Sequence, residues 1–227
     1  MMTFYSAAGS YRLKRENGGR RPYIQRLGKL HPISVPEFAV WSSLLWQVMT
    51  YGELEKAYSR QMAAAGAGAP PLDRMLRMLV QRRLVVKGEG YTGMDALYSM
   101  LSEAFIVPTV ESRAGRLRRA VGLFLRGRIS FRGLRGLMRE PVLTEDQDHV
   151  MRLVRQTPLS VSELIQCFNR EITDVSTPEK VITGIYPDED SCQAGLAAEM
   201  YPCPNARRVL EAVSNLYLQR HVLLEQI

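Results

Sequence analysis

Arg74, Arg77 and Gln81 recur at i, i+3 and i+7, so a helix through residues 70–83 would carry all three on one face. Guanidinium and amide groups at that spacing do no covalent chemistry. They form forked hydrogen bonds to base edges and phosphate oxygens. Leu72, Met75, Leu76 and Leu79 fall on the other side and supply the face that packs. Pro70 and Pro71 suit a helix N-terminus, where a missing N–H costs little. Past Arg83 the chain reads Leu84-Val85-Val86, a short strand pattern, and Gly88-Glu89-Gly90 is expected to turn it back as a β-hairpin bearing Lys87 and Tyr91.

The elements that would position this helix precede it. Ser34 with Glu37 forms a capping-box pattern opening a helix over residues 34–49, whose buried stripe is Phe38, Trp41, Leu44, Leu45 and Val48. A second helix is expected over 53–62, and the small-residue stretch 63–69 leads to Pro70. Ahead of them, Asn17-Gly18 between two basic, apolar-studded stretches predicts a hairpin carrying Arg12, Lys14, Arg20, Arg21 and Arg26. After the hairpin, residues 94–106 read as one more helix, packing back on this module or forming a dimer contact.

The net charge of +7 is unevenly placed: +6 in residues 1–34, zero in 35–110, +7 in 111–140 and −6 in 141–227. Two basic stretches around a helix with a polar face form an electrostatic footprint for a polyanion. The segment 111–140 reads as two short amphipathic helices with outward arginines. Arg116, Arg118, Arg119 and Arg128 are its candidate phosphate contacts, and pairing with the acidic C-terminal part is the alternative.

The C-terminal part tracks the first module. At an offset of 110, Ser34 falls on Thr144, Trp41 on Met151, Met49 on Leu159 and Glu53-Leu54 on Glu163-Leu164. At an offset of 138, Leu72 falls on Leu210, Leu79 on Tyr217 and Gln81-Arg82 on Gln219-Arg220, which implies a 28-residue insertion within 171–203. The second third-helix exposes Arg208, Glu211, Asn215 and Gln219, a less basic face, and its hairpin is cut short at Ile227.

Helix, turn, helix, loop, helix and hairpin in this order resembles a winged-helix transcription regulator. The doubling is similar to tandem winged-helix proteins, including chromosome-segregation accessory proteins that bind condensin-type complexes. The expected fold is mainly α with small β-hairpins. Its divisions are a basic arm (1–33), a winged-helix DNA-binding domain (34–110), an Arg-rich helical linker (111–140) and an acidic second winged-helix-like domain (141–227).

Three cysteines without metal-ligand spacing, and the absence of a phosphate-loop or nucleophile motif, leave no case for a metal, a cofactor or an enzyme. The longest apolar-looking run, residues 38–52, is short for a membrane span, no signal peptide is apparent, and a cytoplasmic location is expected. The expected function is sequence-specific binding of double-stranded DNA by a homodimer, with a protein partner at the acidic domain. The alternative is a tandem winged-helix interaction scaffold that does not read DNA.

Overall fold

The computed structural model describes residues 1–16, 19–66, 68, 70–109, 143–186 and 192–226. The Arg-rich stretch 111–140, with its expected helices, lies outside the described residues. The fold is mixed α/β, largely helical with small antiparallel sheets. No described helix is long and apolar enough to cross a membrane.

The first module contains β1 (Met2–Ala7), α1 (Val35–Leu44), α2 (Tyr51–Ala64), α3 (Leu72–Gln81) and β5 (Val85–Gly90). Between β1 and α1 lies a separate antiparallel sheet of β2 (Ser10–Glu16), β3 (Gly19–Arg26) and β4 (Lys29–Pro32). Then follow α4 (Gly93–Ser102) and β6 (Phe105–Pro108). The second module comprises β6, α5 (Glu145–Val154), β7 (Leu159–Ser160), α6 (Val161–Asn169), α7 (Pro178–Ile185), α8 (Gln193–Met200), α9 (Ala206–Leu218) and β8 (Val222–Glu225).

The two modules share one plan, visible in their hydrogen bonds. β1 runs antiparallel to β5 on one side, from Met2↔Gly90 to Ala7↔Val85, and meets Met49 through Tyr5 on the other. β6 in turn lies between β7 (Ile106↔Leu159) and β8 (Ile106↔Leu224, Pro108↔Val222). Tyr5 and Ile106 are therefore equivalent by both pairings. The helix starts match as well. Ser34 and Glu37 close a capping box, as do Thr144 and Gln147; Thr50 with Glu53 is matched by Ser160 with Glu163. Each box satisfies two backbone donors that a helix N-terminus otherwise leaves open.

The ends of α3 and α9 move the alignment by one residue. Arg83 (φ 55°) and Arg220 (φ 66°) each take the left-handed position after a helix. Arg83 N–H bonds the carbonyl of Val80 and Leu84 N–H that of Leu79; Arg220 N–H bonds Tyr217 and His221 N–H bonds Leu216, all at 2.8–2.9 Å. These are two copies of one Schellman end, and they set the offset at 137 and the insertion at 27 residues. Leu72, Leu76 and Leu79 then match Val209, Val213 and Leu216, all buried. The identical Gln-Arg pair that gave 138 is displaced by one in the backbone. The insertion holds α7 and α8.

Three further expectations change. The helix expected over 34–49 stops at Leu44, and Trp46 takes φ 57°, turning the chain so that Met49 can reach β1. The first 33 residues are not all arm, because β1 pairs with β5 inside the module, and β2–β4 form a separate sheet. Finally, Gly88-Glu89-Gly90 does not turn back. It continues β5, which leads straight into α4. The partner strand arrives from β1, so no hairpin return is needed. The glycines serve close approach: a Cβ on Gly88 would stand 2.2 Å from the Ala96 carbonyl oxygen and 2.5 Å from Met100 N, and one on Gly90 2.4 Å from Ala96 N.

Module two is pinned to module one through Tyr217. Its buried phenol lies 2.8 Å from the Ser6 hydroxyl and accepts a hydrogen bond from Trp46 N–H at 3.0 Å. Burial pushes this phenol up to about 12, so it stays protonated. Gly9 N–H bonds the Leu224 carbonyl at 2.7 Å, and Arg220 lies over the Trp46 ring at 5.0 Å. Core packing continues across the junction, since Ala8, Val86 and the α4 residues Tyr98, Met100 and Leu101 belong to the cluster built on module two.

Gly88→Ala is expected to destabilise the protein by about 2 kcal/mol or more, because backbone rather than a side-chain tip would have to yield. Urea midpoints measure this, and an unchanged midpoint would contradict the close packing of α4 on β5.

Candidate nucleic-acid interface

The α3 surface follows from its two-sided sequence. Leu72, Leu76 and Leu79 are buried against α1, while Arg74, Arg77, Met78 and Gln81 are exposed on the opposite side. The expected polar face is thus present, with Met78 beside it. At the equivalent positions of α9, Glu211 replaces Arg74, Ser214 replaces Arg77 and Leu218 replaces Gln81. The second module keeps the helix but not the cationic face.

The expected hairpin is also present: β2 and β3 pair from Ser10↔Gln25 to Glu16↔Gly19. Successive strand residues alternate between faces. Tyr11 and Ile24 share the inner face, with Ile24 fully buried and the Tyr11 ring 6.1 Å from Phe38. The outer face therefore carries Arg12, Lys14, Glu16, Arg21, Tyr23 and Gln25. Lys14 stands directly opposite Arg21, a like-charge pairing that costs stability on a sheet. Lys14 Nζ lies 5.6 Å from the centre of the Tyr23 ring, and Arg12 Nε donates to Gln25. The carboxylate on this face, Glu16, is taken up by the Tyr23 hydroxyl, which is 2.8 Å from both of its oxygens; that bond raises the Tyr23 pKa. Arg20 pairs with Arg15 in the register of the same ribbon.

Ribbon and helix meet at Arg82, the residue that ends α3. Its guanidinium donates to Glu37 Oε1 at 3.0 Å and to the carbonyl of Pro32, the last residue of β4. The same Glu37 carboxylate accepts from Ser34 N–H (2.8 Å) and the Ser34 hydroxyl (2.7 Å). Burial is the largest single influence on Glu37 and pushes its pKa up. The Ser34 donors together with Arg82 outweigh it and hold the carboxyl below its ordinary value. Nothing in the sequence pattern singles out Arg82. Its signal there is a cation at the end of the third helix and an acid at the start of the first.

Lys87 and Tyr91 are not brought into this set. With no hairpin tip, Lys87 lies on β5 and its Nζ pairs with Glu89 at 2.6 Å. Tyr91 is 90% exposed and lines a groove of about 430 Å³ with Met1, Glu89, Gly90, Asp95 and Tyr201, an acidic and apolar setting ill suited to phosphate. Arg116, Arg118, Arg119 and Arg128 lie outside the described residues. Comparison with protein-family models, curated proteins and solved structures gave no match.

Glu37→Gln keeps a capping side chain, as Gln147 does in module two, but loses the charge. Because the folded-state pKa is depressed, the stability supplied by the ionised carboxylate is full above its ordinary value and disappears as pH falls through the lowered one. The variant is expected to be less stable than the parent near neutrality, the gap closing as pH falls below the ordinary carboxylate range. A gap independent of pH would contradict the assignment.

Proposed function

We propose that this chain is a DNA-binding regulator built from two winged-helix-type modules, with the first contacting duplex DNA and the second buttressing it. The observation that carries the reading is the internal comparison. Two modules share capping boxes, helix ends, sheet register and core, yet differ where a helix would enter a groove: Arg74, Arg77 and Gln81 in one, Glu211, Ser214 and Leu218 in the other. A fold requirement would be met in both copies. A cationic face in one copy alone points to what that copy binds.

In this reading α3 presents Arg74, Arg77 and Gln81 to base edges and nearby phosphates, while Arg12, Lys14 and Arg21 on the outer face of the ribbon contact the backbone. The departure from a simple winged helix is that β5 pairs with β1 rather than returning as a wing. The basic ribbon, inserted between β1 and α1, takes over the wing's role of gripping phosphates.

Binding to a mixed-sequence duplex, followed by fluorescence anisotropy, is expected to fall steeply with salt as counterions are released. Arg74→Ala/Arg77→Ala is expected either to lower the slope of log K against log salt by roughly 1.8, if both residues touch phosphate, or to relax sequence preference at constant slope, if they read bases. No change in either quantity removes α3 from the interface. Negligible duplex binding even at low salt would overturn the proposal in favour of the interaction scaffold, which the apolar, acidic groove beside Tyr91 favours.

A further inference from the structure

The two modules differ at one more pair of residues. Glu37 and Gln147 are both the third residue of a helix opened by a capping box, and Arg82 and Gln219 both end the module's third helix. Where module one has an ion pair, module two has two glutamines. Module two nevertheless closes its box and completes its helix end, with Gln219 N–H bonded to Asn215 at 2.9 Å. The ion pair is therefore not a requirement of the fold. It occurs in the copy that also has the cationic helix face and the basic ribbon.

We infer that Arg82 is a positioning residue that, through Glu37 and the Pro32 carbonyl, holds the β2–β3 ribbon and the α3 face as a single DNA-binding surface. This rests on the DNA-binding reading above. The geometry is specific to a guanidinium. One prong reaches Glu37 on α1, and another reaches the carbonyl that ends β4. β4 is hydrogen-bonded to β3 with Pro32 opposite Tyr23, and Tyr23 is itself opposite Arg12. A displacement of the ribbon is thus transmitted to the end of α3 through one side chain. The Arg82 and Glu37 side chains are 29% and 9% exposed, so the pair is partly shielded from water. A lysine keeps the charge and can hold Glu37, but has no second prong for Pro32.

The test measures salt dependence of binding to a short mixed-sequence duplex for the full chain, Arg82→Lys and Arg82→Gln/Glu37→Gln. The double variant carries the residues that module two already folds with, and circular dichroism melting checks that each protein is folded. A strut predicts that Arg82→Lys lowers the salt slope by about 1.8 or more, because ribbon and helix can no longer engage together although no positive charge has been lost. The double variant should fall at least as far. An unchanged slope in Arg82→Lys overturns the inference. So does a loss of only about 0.9 confined to the double variant, which would make Arg82 one phosphate contact among others. A parent protein without salt-dependent binding overturns the DNA reading and the strut with it, whereas a binding parent with an unaffected Arg82→Lys overturns the strut alone.

Discussion

The architecture depends on one constraint: each module is closed by a strand supplied from upstream of its first helix. β1 must lie between Met49 and β5, and β6 between β7 and β8. β6 is paired along both edges, while β1 is paired along β5 and bridged to Met49 at Tyr5 alone; these contacts fix their registers. The arrangement also dictates what lies between that strand and the first helix. In module one the connection is the β2–β4 sheet with its basic outer face. In module two the Arg-rich stretch occupies the same place in chain order, between β6 and α5. The two basic segments of the sequence thus occur at equivalent points in chain order.

A repeated module is its own control. Features found twice, such as the capping boxes, the left-handed arginines after α3 and α9, and the buried positions along them, are what this fold needs. Features found once need another explanation. Cations on an edge strand such as β2 also guard against unwanted strand pairing, so Arg12, Lys14 and Arg15 have a structural use whatever they bind. That use does not require Lys14 opposite Arg21, nor Arg74 and Arg77 on a helix. The proposed DNA contact accounts for both sites together.

What the sequence made legible was local. The Ser34–Glu37 box, the apolar stripe of α3 and the pairing of β2 with β3 all rest on spacings of a few residues. The pairing of Met2 with Gly90 does not, and missing it led to Gly88 and Gly90 being read as a turn. Glycine marks a reversal and a close backbone approach equally well, and only tertiary contact with α4 separates them. The one-residue error in the third-helix alignment had a related origin. It followed a shared Gln-Arg pair, whereas the backbone aligns the Schellman ends. With the Schellman ends superposed, Glu211 falls on Arg74 and Gln219 on Arg82, and the contrast between the modules becomes specific.

The central claim is that module one binds duplex DNA through two joined surfaces while module two, built alike, does not. Amide hydrogen exchange of the full chain with and without a mixed-sequence duplex at low salt examines both modules in one experiment. The account predicts slower exchange on adding DNA in α3 and in the β2–β3 ribbon, with α9 unchanged. Protection of α9 equal to that of α3, or no protection in either, would contradict it.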